Sequence, residues 1–418
     1  MDDFRERLSD AGRRFGVRRL AGALLKDGDI QYAACAPDAF GADAAQPIFC
    51  LVKILTASLI AQAIQSGRLA LCDRLDALFD TGPLKETDGV ARGVTIFHLL
   101  SHTHGWVGAP DPDVRRTSDG FIAPQAILRD LTCRPRLYEP GEMYSYDSTG
   151  YLLLGAILEK LHGAKFGALL HHHLLGPLGI EPAECADVVC SAEGYEISLS
   201  VRALSRLVEY HLAPERHELA LPNAAQASRM LQSHVIDTPG WSPFYKGSTL
   251  AWRDLGSGWL SHEGVGPLGS AYSMVRLNPD KRTALILMSP EPRSRLLGAQ
   301  LFNDLSRSNL TSDFALPLSG ATLQVFDAEP FIGTYGNGRN RTIIHRDDRG
   351  QLRARLTLAG GPRSDVAQEE RSLQPATRDV LFLKAPIGRR HFIQPLRSSI
   401  SGGFTHAWDG YEVSRRLS

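Results

Sequence analysis

Hydrophobic residues concentrate most strongly in one segment near the amino terminus, from Pro47 to Ser66. Lys53 is the only charged residue of that segment. The run is long enough to cross a membrane, but it is interrupted by Lys53 and by the polar side chains Thr56, Ser58, Gln62 and Gln65. The pattern therefore predicts a helix buried in a protein core that stops at Gly67, a residue suited to a helix C-cap.

Shorter patterns predict elements on both sides of this helix. Residues 1–14 have the spacing of a short amphipathic helix. Segments 18–25 and 30–35 flank Lys26-Asp27-Gly28-Asp29, which is typical of a β-hairpin turn. The remaining assignments are helices over 152–161 and 196–211, paired antiparallel strands over 273–277 and 283–288, and a segment without clear signal over 222–243, interpreted as an insertion or a cleft-lining loop.

The pattern changes after about residue 318. Apolar and polar side chains alternate over 351–358, as in a half-buried strand, and further strand signals follow near 380–383, 391–394 and 404–408. A chain of 418 residues is also too long for one typical hydrophobic core. We therefore predict two domains, residues 1–318 and a β-rich domain over 319–418, and we find no candidate catalytic residues in the second.

The charge balance and the cysteines narrow the class of protein. The chain has 46 Lys and Arg against 46 Asp and Glu, which gives no reason to expect a nucleic-acid partner or an anionic membrane. Its charged first residues are followed by no apolar signal-peptide region, and its six cysteines show no CxxC or zinc-site spacing. We expect a cytoplasmic protein with free thiols, no membrane partner and no metal site.

The lysine of the apolar helix needs a partner or a role, because burying a lone ammonium is costly. Lys53 follows Cys50 by three residues, so on a helix the two side chains share a face. Cys50 also lies at the amino end of the predicted helix, and both a helix amino end and a neighbouring ammonium favour a thiolate over a thiol. The pair therefore has the character of a cysteine nucleophile with an adjacent base.

Cys50-Leu51-Val52-Lys53 resembles the Ser-x-x-Lys motif of serine β-lactamases, penicillin-binding proteins and related esterases, with cysteine in place of serine. Residues 94–105 are similar to the family signature Ile-Thr-Ile-Arg-His-Leu-Leu-Thr-His-Thr-Ser-Gly. The resemblance covers about residues 15–310. It implies an α/β (α+β) fold of the β-lactamase/transpeptidase type, with an antiparallel sheet flanked by helices and a helical subdomain. For residues 319–418 it implies a small, lipocalin-like β-barrel.

A second motif of the family is matched in part by residues 140–151, which are similar to its Pro-Gly…Tyr-Ser-Asn-x-Gly-Tyr segment. Tyr146 aligns with the family tyrosine, which implies a proton shuttle, since a nearby lysine ammonium favours the phenolate. The alternative is a buried tyrosine with a satisfied hydroxyl, and Tyr144 is a rival for the catalytic role. Ser148 replaces the family asparagine, which implies contacts to the substrate acyl group and to Lys53.

A third motif resembles the His/Lys-x-Gly sequence on the strand beside the family nucleophile. The resemblance gives His262 the basic position of that motif and lets substrate approach the strand closely at Gly264. It also implies an oxyanion hole formed by the N–H groups of Cys50 and Val265. Glu263 is unusual at its position, and we interpret it as a contact for a cationic acceptor.

Three histidines lie in the signature segment at 94–105. We interpret His98 and His102 as structural hydrogen-bonding residues. His104 replaces the family serine in a loop that often borders the substrate cleft, so the resemblance implies a substrate contact there.

The cysteine favours acyl transfer. Exchange between a thiol and a thioester is nearly balanced in energy, and amines attack an acyl-Cys thioester more readily than water does. The leading hypothesis is an acyltransferase or amide synthase that uses Cys50, Lys53, Tyr146 and His262. The resemblance implies a thioester donor, on a carrier protein or a coenzyme, a small-molecule amine or hydroxyl acceptor, and a place in natural-product or antibiotic biosynthesis.

Two alternatives stay open at this point. One is an esterase or amidase of the same family, which would turn over simple esters without an acceptor. The other is a retired enzyme that serves as a binding protein, in which Cys50 is a small buried hydrophobic residue. No phosphate loop or nucleotide fingerprint is visible, so we predict no cofactor.

Overall fold

The computed structural model describes most of the chain. The described residues are 2–35, 40–79, 93–106, 121–132, 136–184, 189–191, 194–237, 245–266, 270–291, 293–306, 328–336, 340–358, 367–377, 380–383, 392–397, 404–408 and 413–416.

The helices of these residues lie mainly in the first three quarters of the chain. They are α1 (Asp2–Phe15), α2 (Val52–Gln65), α3 (Leu75–Leu78), α4 (Ile96–Leu100), α5 (Pro124–Thr132), α6 (Thr149–His162), α7 (Phe166–Leu170), α8 (Val201–Leu212), α9 (Ala224–Gln232) and α10 (Ser294–Ser306). Among the described residues, no helix has both the length and the apolarity needed to cross a bilayer.

The strands fall into a large sheet, two small pairs and a carboxy-terminal group. They are β1 (Leu20–Lys26), β2 (Asp29–Cys35), β3 (Gln46–Pro47), β4 (Val189–Ser191), β5 (Gly194–Glu196), β6 (Ser198–Leu199), β7 (His234–Asp237), β8 (Gly247–Thr249), β9 (Arg253–Gly256), β10 (Trp259–Val265), β11 (Tyr272–Asn278), β12 (Thr283–Ser289), β13 (Gly333–Gly336), β14 (Asn340–Arg346), β15 (Leu352–Leu358), β16 (Ala367–Thr377), β17 (Val380–Leu383), β18 (Phe392–Arg397), β19 (Phe404–Trp408) and β20 (Val413–Arg416).

The large sheet is antiparallel, in the order β2-β1-β12-β11-β10-β9-β8-β7. Side chains alternate between its two faces. On one face Met274 and Leu287 pack with Phe4 of α1 and Phe302 of α10. On the other face Val275 and its neighbours pack with the helical subdomain that contains α2, α6 and α8. This arrangement confirms the predicted fold class.

Helix α2 lies at the centre of the helical subdomain. Its residues from Val52 to Ala61 are all buried, as expected of a helix that is apolar on every side. A short 3₁₀ turn, Phe49–Leu51, precedes it, and Gly67 follows it in a left-handed conformation (φ 73°). The predicted buried helix is therefore confirmed, with Cys50 in the turn immediately before it.

Two local predictions in the helical subdomain are wrong. The helix predicted over 196–211 begins only at Val201, because the Ser200 side chain accepts a hydrogen bond from the Ala203 amide and caps it, while Ser198 and Leu199 pair with β3. The segment over 222–243, to which we assigned no element, contains α9 and β7. Small buried alanines let α9 pack closely against α2, a tertiary effect that the hydrophobic pattern does not reveal.

The carboxy-terminal strands β13–β20 are antiparallel, and their hydrogen-bonded order closes because β13 pairs with β20. A separate apolar cluster that includes Phe331, Tyr335 and Ala354 lies among them. The alternating segment at 351–358 is strand β15, as predicted. The predicted domain boundary at 318 lies outside the described residues, and so does the side chain of Cys190 along with all of Cys133 and Cys185.

Candidate active site

The turn that carries Cys50 is fixed to the large sheet. Phe49 has a left-handed backbone conformation (φ 48°), and Cys50, next in the chain, is partly exposed. The Ile48 carbonyl accepts hydrogen bonds from the Ser273 hydroxyl of β11 at 2.9 Å and from the Leu51 amide at 3.1 Å. The position of the thiol is therefore set by β11 as well as by α2.

Gly264 on β10 makes room for this turn. A Cβ atom at position 264 would lie 2.2 Å from the Ile48 carbonyl oxygen and 2.6 Å from the Ser273 hydroxyl oxygen. Both distances are far below van der Waals contact, so only glycine fits. The nucleophile turn therefore accounts for this glycine, and the expectation that Gly264 also lets substrate approach the strand stays a prediction.

The Lys53 ammonium is buried between α2 and α6, and its residue is only 2% exposed. It donates a hydrogen bond to the hydroxyl of Ser148 at 3.4 Å, just before the first turn of α6. It also lies 5.0 Å from the ring centre of Tyr146 and 5.8 Å from that of Tyr151, within the range of a cation–π interaction. Ser148 therefore contacts Lys53, as the resemblance implied.

The Tyr146 hydroxyl oxygen is buried, with almost no surface exposed to solvent. Burial raises the pKa of Tyr146 well above 10. The charge of Cys50 and a hydrogen bond to Cys50 raise this pKa further, whereas Arg253 lowers it. The phenolate that we expected Lys53 to favour is thus not the resting form, because burial outweighs the nearby cations. The structure brings Tyr146 to the Cys50–Lys53 pair, whereas the ring of its rival Tyr144 packs edge-on against His102.

Arg253 of β9 is a site residue that the sequence interpretation missed. Its guanidinium carbon lies 5.0 Å from the ring centre of Tyr146, and its Nη1 donates to the Tyr245 hydroxyl at 3.0 Å. The sequence signal is weak, because Arg253 precedes Asp254 and the two resemble an exposed ion pair. Tyr146 consequently lies against two cations, Lys53 and Arg253.

His262 of β10 lies in the same site, with its ring centre 6.3 Å from that of Tyr146. Burial lowers the pKa of His262 to about 3, with Arg253 and Lys53 contributing by repulsion. Its Nδ1 lies 3.3 Å from the Glu263 carbonyl oxygen and so carries the hydrogen, which leaves a lone pair on Nε2. His262 is therefore neutral at rest and lies in the site as the third motif implied, and its catalytic role stays a prediction.

Glu263 points to the opposite face of β10, because successive side chains of a strand alternate. Its carboxylate pairs with Arg276 of β11 at 3.4 Å and with Arg295 of α10 at 2.9 Å. The side chain is buried in this ionic cluster. The prediction that Glu263 contacts a cationic acceptor is therefore wrong.

The backbone of Val265 points towards the nucleophile turn. The Gly266 amide bonds to the Ala271 carbonyl at 2.9 Å, and Val265 is opposite Tyr272 in the same register. Hydrogen-bonded and non-hydrogen-bonded pairs alternate between antiparallel strands, so the Val265 N–H is directed away from β11. It faces the edge of β10 that packs against the turn of Cys50, where an oxyanion hole would require it.

The histidines of α4 and its following loop are structural. His104 is fully buried, its Nδ1 accepts from the Trp106 amide at 3.2 Å, and its Nε2 donates to Asp147 at 3.0 Å, so the substrate contact predicted for it is wrong. His98 completes the cap of α4 with Thr95. His102 accepts from the Asp147 amide at 3.3 Å, and burial keeps its pKa well below the usual value.

One potential ligand atom from each of His102, His104 and Asp147 lies within 4.8 Å of the other two, close enough to surround a metal ion. Both ring nitrogens of His104, Nδ1 of His102 and Oδ1 of Asp147 already take part in hydrogen bonds, which would have to break before these atoms could bind one. The donor set therefore fits a hydrogen-bonded network better than a metal site, and the expected absence of a metal stays a prediction.

Together these elements bring a thiol, a neutral phenol, two cations and a backbone amide directed at the nucleophile turn to one place. A thiol can attack an acyl carbon, a phenol can give and take a proton, and backbone amides can bind the oxyanion that forms. The arrangement has the components required for covalent acyl chemistry.

Comparisons with known proteins identify the family. The family described as Beta-lactamase matches residues 6–297. Penicillin-binding protein 4 of Amycolatopsis lactamdurans is 26% identical over 327 residues, which cover 68% of this chain and 82% of that protein. Penicillin-binding protein 4* of Bacillus subtilis is 29% identical over 133 residues, 31% of this chain and 28% of that protein.

Two solved structures share the fold. The crystal structure of SurE with D-Leu superposes with a TM-score of 0.75 at 22% identity and covers 100% of this chain and 99% of its own. A class C beta-lactamase in complex with cefoxitin superposes with a TM-score of 0.59 at 15% identity, over 73% of this chain and 99% of its own. Members of this fold family are generally enzymes, hydrolases and acyltransferases. The chain belongs to the Beta-lactamase family.

Proposed function

We propose that the protein is an acyltransferase in which Cys50 accepts an acyl group from a thioester and passes it to an amine or hydroxyl. One observation carries the proposal: the thiol of the Ser-x-x-Lys position lies beside a neutral Tyr146 whose ring contacts both Lys53 and Arg253. Such a site can hold a negative charge on sulfur or on the phenol oxygen, and it can move one proton between donor and acceptor.

In the first half-reaction the Cys50 thiolate attacks the thioester carbonyl. The carbonyl oxygen becomes an oxyanion, which the amides of Cys50 and Val265 stabilise. The bond to the donor sulfur then breaks, and the released thiolate takes the proton of Tyr146, whose pKa falls once acylation has removed the charge of Cys50. An acyl-Cys50 thioester and a free donor thiol result, and Lys53 and Arg253 balance the charge of the phenolate.

In the second half-reaction an amine or hydroxyl attacks the acyl-Cys50 carbonyl. The Tyr146 phenolate takes the proton of the attacking group, and the Cys50 thiolate leaves. The product is an amide or ester, and the enzyme returns to its starting protonation. No external oxidant, reductant or metal is needed for this sequence.

The choice of transfer over hydrolysis rests on the cysteine. The acyl-Cys50 intermediate is a thioester, which amines attack more readily than water does. SurE, whose fold this chain shares, has been crystallised with D-Leu, which supports an amino acid or peptide as the acyl group or the acceptor. The donor thiol is proposed to belong to a carrier protein or a coenzyme, in a reducing, cytoplasmic setting and a biosynthetic pathway.

The experiment is mass spectrometry of the intact protein after exposure to a panel of aminoacyl and fatty acyl N-acetylcysteamine thioesters. We expect a stable acyl adduct at Cys50 that forms in the wild type, is absent in Cys50→Ala, and disappears on addition of an amine with release of the amide. Cys50→Ser is the matched variant and should form the adduct more slowly.

Other results would point elsewhere. Rapid turnover without an amine would favour the esterase or amidase alternative. No adduct with any thioester, combined with an alkylation rate of Cys50 no faster than that of Cys35, would favour a retired binding protein. Full transfer activity in Cys50→Ala would contradict the proposal directly.

A further inference from the structure

A cavity of about 290 Å³ lies at the opposite end of α2 from Cys50. It is bounded by the ends of α2 and α6, by the π-helical turn His171–Leu175 and by the start of α9. The length of α2, at about 1.5 Å per residue, places the cavity about 20 Å from the nucleophile. The cavity is therefore distinct from the candidate active site.

Four basic residues converge on this cavity: Arg68, His162, His172 and His173. The ring centres of His162 and His173 are 4.6 Å apart, and those of His172 and His173 are 4.7 Å apart. Arg68 donates to the Leu161 carbonyl through Nη2, which directs its Nη1 to the ring of His162 at 3.2 Å. Single π-helical turns are frequent at functional sites, and here one carries two of the four residues.

No carboxylate lines the cavity among the described residues. The acidic side chains on adjoining elements are engaged elsewhere: Glu159 accepts from the Ile122 and Phe166 amides, and Glu218 accepts from the Ala225 amide in the first turn of α9. Burial, Arg68 and the neighbouring histidines lower the pKa of His162, and burial, His172 and Arg68 lower that of His173. At neutral pH the positive charge of the cluster is therefore that of Arg68, no carboxylate among the described lining residues offsets it, and a bound anion would favour protonation of the two rings.

The rest of the lining suits a ligand with a polar head and an apolar body. The side-chain nitrogen of Gln62 is buried and has no hydrogen-bond partner among the described residues. Leu59, Leu158, Leu169 and Leu221 form the apolar part of the wall. The volume corresponds to about ten water-sized groups.

We propose that this cavity binds a small organic anion, with a carboxylate or phosphate head group held by Arg68, His162 and His173 and a short alkyl body against the leucines. A divalent cation fits less well, because the guanidinium of Arg68 lies within 3.4 Å of both ring nitrogens of His162 and would repel it. This inference is independent of the chemistry proposed for Cys50.

The test uses the full chain and three probes: hexyl phosphate, hexanoate and the neutral analogue hexanol. We expect the two anions to bind saturably at pH 6, at least tenfold more weakly at pH 8, and to shift the ring-proton NMR signals of His162 and His173. Arg68→Met should weaken the binding of hexyl phosphate at least tenfold. Arg229→Met, the same change at an exposed arginine of α9 outside the cavity, should have no effect.

Because Arg68 also caps a carbonyl of α6, His173→Gln provides a second variant that should weaken binding without removing that contact. Equal binding of hexanol and hexyl phosphate, or equal affinity in Arg68→Met and Arg229→Met, would overturn the inference. So would shifts confined to His102 and His262, which would locate the anion at the active site, or Zn²⁺ binding at the cluster that excludes hexyl phosphate. Carboxylate and phosphate sources are distinguished by which of the two anions binds more tightly.

Discussion

Lys53 and Ser148 meet across the amino ends of α2 and α6, with the ammonium donating to the hydroxyl at 3.4 Å. The contact joins the helix that carries the nucleophile turn to the helix that follows Tyr146. It is long for a hydrogen bond, so we expect its contribution to fall below the range for a charged donor, at about 1 kcal/mol.

Removing that hydroxyl should slow the reaction without unfolding the protein. We expect Ser148→Ala to lower the rate of Cys50 acylation by about fivefold, because about 1 kcal/mol of positioning energy for Lys53 is lost. Ser233→Ala, at an exposed position, serves as the control. Single-turnover acylation followed by mass spectrometry measures the effect, and an unchanged rate would mean that Ser148 does not position Lys53.

Gly264 should not tolerate even alanine. The added Cβ would lie 2.2 Å from the Ile48 carbonyl oxygen, a backbone atom that cannot move without shifting the Cys50 turn. We expect Gly264→Ala to lower the free energy of unfolding by about 2–3 kcal/mol and to reduce the alkylation rate of Cys50. At Gly41 nothing lies within 4 Å of a new Cβ, so Gly41→Ala should change neither. Denaturant titration of both variants tests the difference.

Glu263 should matter for stability rather than for catalysis. Replacing Glu263 with Gln leaves Arg276 and Arg295 buried without their carboxylate, which typically costs about 3 kcal/mol. The Cys50 alkylation rate of the folded fraction should stay within twofold of wild type, because the side chain lies on the other face of β10. A selective loss of acyl transfer to amines, with normal stability, would instead restore the acceptor-binding role.

Two buried histidines should make the protein less stable in mild acid. Burial lowers the pKa of both His211 and His262 to about 3, whereas an unfolded histidine titrates near 6.5. The unfolded chain therefore binds protons first, and stability is lost as the pH falls below about 6.5 towards 3. Each of the two residues should lower the free energy of unfolding by about 2 kcal/mol between pH 8 and pH 5. His102, whose pKa burial also keeps well below the usual value, adds a third contribution, so His211→Gln should remove about a third of that slope. Urea unfolding across this range measures the slope, and an unchanged slope would contradict the assignment.

The sequence was sufficient for the parts of the site that lie close together in the chain. Cys50 and Lys53 are three residues apart, and the apolar run around Lys53 predicts burial, so their pairing follows from helix geometry. Tyr146 required a resemblance, because nothing local distinguishes it from Tyr144. The choice between them depends on where α2 and α6 cross.

The errors share a physical origin. Glu263 and His262 are neighbours in sequence but lie on opposite faces of β10, and no local pattern identifies which face meets the nucleophile. The protonation of His262 and Tyr146 depends on burial by distant elements, which outweighs the nearby charges. Arg253 comes from a strand about 200 residues after Lys53, so only the register of the sheet brings it to Tyr146.

The two cations at Tyr146 should contribute unequally to the reactivity of Cys50. Lys53 lies one turn from the thiol along the chain, whereas Arg253 comes from β9 and contacts the Tyr146 ring and the Tyr245 hydroxyl. We expect Lys53→Met to lower the rate of Cys50 alkylation by iodoacetamide at pH 7 by at least tenfold, and Arg253→Met to lower it by about twofold to threefold, because a nearby positive charge favours the thiolate. Arg253→Met should instead slow amine-dependent deacylation, where Tyr146 must carry negative charge.

Cys35 and Cys72 provide internal controls whose labelling should not change. Alkylation of Cys50 that is unaffected by Lys53→Met from pH 5 to 9 would mean that the lysine does not activate the thiol, and the retired-enzyme alternative would then be favoured.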